Sequence, residues 1–311
     1  MAAAISCRAL VKRYGSVTAL DGLDLEVPFG TLFGFLGPNG AGKTTTIRLL
    51  TGLAWPTSGR VTVVGIDPAG DGGRLRERIS HQDQHSRLYG WMTGRELLQT
   101  VGRLFGLSGP PLRSRVDEVL EMTGLLDVAG RRLGGYSGGM RQRLNLAQAL
   151  INRPEVLFLD EPASSLDPAG RHEVLELLTQ LRGRATVFMS SHILEDVEKV
   201  CDRVGIIDRG RLLVDSTLGE LQARFAEPVF TIELEPGQGD EQPKLVASLQ
   251  ELALVTAVAR AGPVLRVTVN DASHAGPELM RVLARSGVNV ARFERIRPTL
   301  EDMFLRLVPA R

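Results

Sequence analysis

Eight consecutive residues, Gly37-Pro38-Asn39-Gly40-Ala41-Gly42-Lys43-Thr44, constrain this chain more than any other feature, because they fit the pattern G-x-x-x-x-G-K-[ST] at every position. At average residue usage, a chain of this length meets that pattern by accident about once in a hundred cases. The flanks supply the context the pattern needs. Residues 31–36 read as a short buried strand leading in, and residues 44–53 as a helix leading out. The glycines allow the backbone to wrap closely around phosphate oxygens, with N–H groups turned inward and the positive end of a helix behind them. Pro38, Asn39, Ala41 and Thr45 complete the cradle; Lys43 supplies a point charge for the β- and γ-phosphates, and Thr44 a hydroxyl for Mg²⁺. The loop predicts a nucleoside triphosphate as ligand.

The length of 311 residues is enough for two domains, each with its own core. A net charge of +1 argues against a dominant polyanion-binding surface, so nucleic acid is not an expected partner. Cys7 and Cys201 have no metal-ligand spacing and are expected to be reduced thiols in a cytosolic protein. Residues 1–6 lack the apolar core of a signal peptide, and no run of 18 apolar residues occurs, so the chain is not expected to cross a membrane by itself.

Strand-like runs at 31–36, 61–64, 156–160, 186–190 and 204–208 alternate with helical stretches, which predicts an α/β domain over residues 1–225. Between about 88 and 135 the strand signal vanishes. Helices are expected there at 95–107 and 113–123, punctuated by Gly109-Pro110-Pro111, so this is a helical insert. Residues 226–311 read strand, helix, strand, strand, helix, strand. The strands at 229–234 and 264–269 and the helices at 243–252 and 276–286 mark a split βαβ, ferredoxin-like arrangement. A last helix begins after Pro298, where Thr299 and Asp302 have capping-box spacing.

Two further motifs extend the reading. Val156-Leu157-Phe158-Leu159-Asp160-Glu161 is a buried strand ending in paired carboxylates; in phosphate-loop enzymes the first, Asp160, orients Mg²⁺, and Glu161 can polarise an attacking water. In Tyr136-Ser137-Gly138-Gly139-Met140-Arg141-Gln142-Arg143, Ser137 has the place of an N-cap before an apolar helix stripe, making a second helix N-terminus prepared for phosphate. Two such cradles cannot readily share one γ-phosphate, so the second is expected to serve a neighbouring molecule's nucleotide.

With these motifs the chain resembles the ATP-binding subunit of an ABC transporter, whose signature is Leu-Ser-Gly-Gly-Gln; here Tyr136 and Met140 replace the outer residues and Ser137, Gly138 and Gly139 are intact. The resemblance covers residues 5–220. It implies an α/β phosphate-loop ATPase core with a helical insert, followed by the small C-terminal α+β (ferredoxin-like) domain. Ser164-Ser165-Leu166-Asp167 then matches the D-loop, His192 the switch histidine that contacts the γ-phosphate, and Tyr14 the aromatic that stacks on adenine. Gln84 matches the Q-loop glutamine, a ligand of Mg²⁺ beside Thr44 and Asp160, with Gln82 as a rival two residues earlier. Met140 and the tail residues Pro298-Thr299-Leu300-Glu301-Asp302-Met303-Phe304 point to the drug-resistance branch typified by daunorubicin and doxorubicin exporters.

The resemblance implies ATP and Mg²⁺ as cofactors, with Glu161, His192 and Gln84 in the catalytic set. It also implies a homodimer or pseudo-dimer meeting head to tail, and a separate membrane-spanning permease docked on the helical insert at the cytoplasmic face of the cell membrane. Drug or multidrug efflux is the favoured transport; a lipid, polysaccharide or sodium exporter of the same architecture is the alternative. DNA-repair ATPases with the same cradles carry a long heptad-patterned insertion, for which the span from Lys43 to Ser137 leaves no room. Translation factors of the superfamily carry two phosphate loops, and here there is one.

Overall fold

Two long strands open the chain, β1 (Ala3–Tyr14) and β2 (Val17–Pro28), paired antiparallel. In the computed structural model, which describes residues 3–84, 88–164, 166–226, 228–235, 242–296 and 298–308, neither strand runs evenly. Their register shifts repeatedly, and Ala9 takes a φ of 45°. After β3 (Leu32–Leu36) and α1 (Lys43–Leu50), β4 (Ser58–Val63) joins the other side of β1 and completes a three-stranded sheet ordered β2-β1-β4.

The second sheet positions the site. Its strands are β3, β5 (Ile79–Gln82), β6 (Val156–Asp160), β7 (Thr186–Ser191), β8 (Arg203–Asp208) and β9 (Arg211–Thr217), ordered β5-β6-β7-β3-β8-β9. All pair parallel except β9, which runs antiparallel to β8. Every residue of β3, β6 and β7 is buried, which is why their centres read as continuous apolar runs and not as alternating ones. Phe188 ties the neighbouring strands β6, β7 and β3 together: its ring lies 5.5 Å from Phe33, 5.1 Å from Phe35 and 5.8 Å from Phe158.

The helices of this unit are α1, α2 (Gly72–Arg78), α3 (Gly94–Leu104), α4 (Gly109–Met122), α5 (Gly138–Leu150), α6 (Pro168–Gln180) and α7 (Leu194–Val200), and α8 (Leu218–Phe225) begins at its end. α3 and α4 form the expected helical insert. Thr93 and Glu96 close a reciprocal capping box at the start of α3. Gly109-Pro110-Pro111 opens α4 instead of merely separating two helices, since a proline in the first turn gives up an N–H that has no intrahelical partner anyway.

The tail folds as β10 (Val229–Leu234), α9 (Gln242–Gln250), β11 (Val255–Ala261), β12 (Val264–Val269), α10 (Ala272–Ser286), β13 (Val290–Arg295) and α11 (Leu300–Leu307). Its sheet is antiparallel throughout, ordered β11-β12-β10-β13, which is the ferredoxin-like arrangement. Ile232, Leu265 and Val267 bury one face together with Leu249 and Leu279 from the helices. At the start of α11 the Thr299 N–H donates to Asp302 Oδ2 at 2.9 Å, and the Asp302 N–H donates to Thr299 Oγ1 at 3.2 Å. Contact density groups the chain into two compact units, Met1–Leu218 with Phe304–Arg311, and Gly219–Met303, whereas sequence reasoning puts a boundary at 225/226.

Candidate nucleotide site

The loop between β3 and α1 is shaped by steric necessity. A Cβ on Gly37 would sit 2.3 Å from the Ile207 carbonyl oxygen, and one on Gly42 would sit 2.8 Å from that of Ala19. Gly42 also has a φ of 115°, a conformation that side chains rarely tolerate. Within the loop, the Ala41 N–H donates to the Pro38 carbonyl at 3.1 Å and tightens the turn. Lys43 Nζ donates to the Gly37 carbonyl at 2.6 Å and to that of Pro38 at 3.4 Å. Burial pushes the Lys43 ammonium pKa down; Glu161 and Asp160 pull it part of the way back.

The carboxylates at the end of β6 face this loop. Thr44 Oγ1 donates to Asp160 Oδ2 at 2.9 Å, and Ser190 Oγ donates to Asp160 Oδ1. Glu161 takes a φ of 53°, strained for a residue with a side chain, and its Oε2 lies 2.7 Å from His192 Nδ1. The His192 N–H also donates to the same oxygen, at 3.3 Å.

These groups line one cleft of about 360 Å³, which brings together Pro38, Asn39, Gly40, Gly42, Lys43, Thr44 and Thr45 with Gln84, Asp160, Glu161 and His192. Gly37 and Ala41 serve the loop from behind: Gly37 lends Lys43 its carbonyl, and Ala41 is buried. Gln82, the rival of Gln84, is buried in β5 and does not line the cleft. Tyr14 does not line it either. Its ring is half exposed, with Lys12 Nζ 4.7 Å from the centroid, and that lysine donates to the Trp55 carbonyl. In its place Val17, Thr18 and Ala19, at the start of β2, border the cleft. Sequence reasoning did not find them, although their position just after the Gly15-Ser16 turn was a usable signal.

Ser137, Gly138 and Gly139 lie elsewhere, on a second depression of about 490 Å³ shared with Leu166, Asp167 and Gly170. Ser137 caps α5 by accepting the Met140 N–H at 3.2 Å, and Asp167 caps α6 by accepting that of Gly170 at 3.2 Å. Within one chain neither reaches the Lys43 cleft. Ser165 of the same loop lies outside the described residues.

A parallel sheet with a phosphate-wrapping loop after one strand and paired carboxylates after a nearby strand defines a phosphate-loop nucleotide hydrolase. Comparison with known proteins narrows the class. Residues 20–164 match the family described as ABC transporter, and residues 217–308 match the family described as ATP-binding protein DrrA1-3-like, C-terminal domain. The chain is 41% identical over 312 residues to the daunorubicin resistance ATP-binding protein DrrA2 of Streptomyces coeruleorubidus, covering 98% of this chain and 94% of that one. It is 37% identical over 306 residues to the Nod factor export ATP-binding protein I of Rhizobium sp. strain N33, covering 98% and 96%. Among solved structures, an ATP-binding subunit of an ABC transporter superposes with a TM-score of 0.64 at 27% identity, over 71% of this chain and 92% of that one. A dimeric ATP-binding cassette in a post-hydrolysis state, bound to ADP and phosphate, gives 0.62 at 25% identity, over 69% and 98%. The chain belongs to the ABC transporter family of ATP-binding proteins. It is an ATPase, and its C-terminal domain is of the DrrA type.

Proposed function

We propose that this ATPase powers the efflux of a small molecule, an antibiotic-like drug foremost, through a separate membrane-spanning permease. The observation that carries this reading is the likeness to a daunorubicin resistance protein over nearly the whole of both chains, tail included. The likeness to a Nod factor exporter favours a second reading, a lipid or polysaccharide cargo; a sodium exporter shares the architecture. No helix among the described residues is long and apolar enough to cross a membrane. On this reading the permease supplies the pathway and the chain docks on it at the cytoplasmic face. The insert carrying α3 and α4, with Gln84 near its entry, is the docking surface.

Two ATPase chains, identical or paired with a related one, work head to tail. Each ATP is held between one copy's Lys43 loop and the other's Ser137-Gly138-Gly139. The separation of the two depressions within one chain supports this, since a second copy is needed to bring them onto one nucleotide. Asp167, beside the signature residues, then approaches the same nucleotide from the second copy, and Tyr14, exposed outside the cleft lining, stacks on an adenine that projects beyond the cleft.

Thr44, Asp160 and Gln84 are oxygen donors on one cleft, the set that Mg²⁺ prefers. When bound, Mg²⁺ would supply neutralisation of the nucleotide's phosphate charge. Lys43 holds those phosphates, Glu161 accepts a proton from the attacking water, and His192 orients the Glu161 carboxylate while reaching the γ-phosphate. The tail steadies the assembly and performs no chemistry.

The test is co-expression with a candidate membrane-spanning permease, followed by transport into inverted membrane vesicles. ATP-dependent daunorubicin uptake that needs both chains is the expected result. Hydrolysis stimulated by nucleic acid and indifferent to any membrane partner would contradict the reading.

A further inference from the structure

The hydroxyl of Ser190 sits where the two strands that carry the chemistry meet. Ser190 is fully buried in β7, and its register partner across the parallel pair is Asp160. Its Oγ–H donates to Asp160 Oδ1, which leaves Oδ2 to accept from Thr44. The same Oγ accepts the Glu161 N–H at 3.2 Å, and that N–H also points at the Ser190 carbonyl at 3.2 Å. One hydroxyl therefore spends its proton on the first carboxylate and a lone pair on the peptide of the second. The Glu161 backbone is the strained one, and strain of this kind persists only where surrounding contacts over-determine it. Ser190 provides two of those contacts.

We propose that Ser190 is a positioning residue for ATP hydrolysis. It locks the Asp160 carboxylate with one oxygen toward Thr44, and locks the Glu161 backbone so that its carboxylate meets His192. This rests on the reading of Asp160 and Glu161 as the metal-orienting and water-polarising groups. Without the hydroxyl, Asp160 loses a donor inside a buried site, and the carboxylate turns to find another. The Glu161 peptide keeps only its bond to the Ser190 carbonyl. Both changes displace reacting groups without touching the loop that grips phosphate, and a misplacement of about 1 Å can cost about 10²-fold in rate.

The experiment compares Ser190→Ala, Ser190→Thr and Glu161→Gln in the full-length protein. It reads kcat and KM for ATP, the melting temperature, and binding of a fluorescent ATP analogue with and without Mg²⁺. Ser190→Ala is expected to lose about 10²-fold in kcat with KM and Mg²⁺-free binding unchanged. Ser190→Thr, which keeps the hydroxyl on a residue favoured in strands, is expected to recover most of the rate. If Ser190→Ala does not fold, Ser190→Cys carries the same test, because a thiol is a much weaker donor, and kcat must fall with KM held. Turnover of the Ala or Cys variant close to wild type would overturn the proposal. So would a folded, ATP-binding Thr variant as slow as the Ala variant. The Glu161→Gln arm separates the two readings: if it stays active, the assignment of Glu161 fails, whereas an inactive Glu161→Gln beside an active Ser190→Ala removes only the role of Ser190.

Discussion

Glu161 Oε2 and His192 Nδ1 lie 2.7 Å apart although they follow different strands. Parallel pairing explains the meeting: Asp160 stands opposite Ser190, so the chain leaves β6 and β7 at the same height, and the residues just beyond converge. Glu161 is buried while His192 is half exposed, and both line the cleft. On the proposed role of Glu161, a carboxylate held in this way would act on water without reorganising, which is how preorganised groups lower barriers.

Gly37→Ala should damage the protein before it damages catalysis. The new Cβ would stand 2.3 Å from the Ile207 carbonyl, a backbone atom that cannot swing aside. Overpacking of this sort costs about 1–3 kcal/mol, and the loop must shift to relieve it. Urea denaturation should show the loss of stability, and ATP affinity should fall with it. Gly40→Ala, whose Cβ would meet nothing within 4 Å, should be milder in stability despite its φ of 79°.

Lys43→Ala and Ser137→Arg should inactivate by different routes. On the proposed head-to-tail arrangement, the first would remove the charge that holds phosphate in its own chain, and the second would obstruct the nucleotide of the other copy. Mixed dimers of the two dead variants retain one composite site with both halves intact, so mixing should restore part of the hydrolysis. Mixed dimers that form yet never hydrolyse ATP would exclude a head-to-tail site that works singly.

The parts of the fold that could be read from sequence are those whose local pattern reflects a local cause. β6, β10 and β12 fall where expected because buried runs and clean alternation map directly onto strand faces. β1 and β2 escaped because their register shifts and the left-handed Ala9 break the alternation that would have announced them. β11 is expected from the order of the tail's elements but without bounds, because an edge strand with most residues exposed carries no burial pattern to delimit it. The site divides in the same way. The loop glycines, Lys43 and the carboxylates belong to contiguous motifs, whereas the role of Ser190 and the lining by Val17, Thr18 and Ala19 exist only once distant strands pair. Tyr14 shows the limit of position alone: it occupies the expected place in the chain but not in the cleft.

Alkaline pH should weaken the fold through Cys7. Burial first, and the nearby Asp24 second, raise its thiol pKa from 9.0 to about 12. Between those values the unfolded chain has lost a proton that the folded chain keeps. Stability therefore falls as pH rises through that window, by about 1.4 kcal/mol per pH unit for one such group, and the contribution is fully present below it. Urea midpoints of wild type and Cys7→Ala, measured on either side of 9.0, should show the steeper decline in wild type.

A chain ending near Ala226 should bind ATP with unchanged affinity. All residues lining the cleft fall between Val17 and His192, and none comes from the tail. Assembly with a second copy or with the permease should be what suffers. Loss of nucleotide binding in a truncated chain that remains folded would place the tail in the active site.

The most direct test is the rate of ATP hydrolysis by Glu161→Gln in the presence of Mg²⁺, measured beside its ATP affinity. The substitution preserves shape and removes only the base, so turnover should fall by about 10²–10⁴-fold, the usual worth of a positioned proton acceptor, while ATP still binds and ATP-bound dimers accumulate. Turnover equal to wild type would contradict the assignment of Glu161, and with it the account of how this cleft hydrolyses ATP.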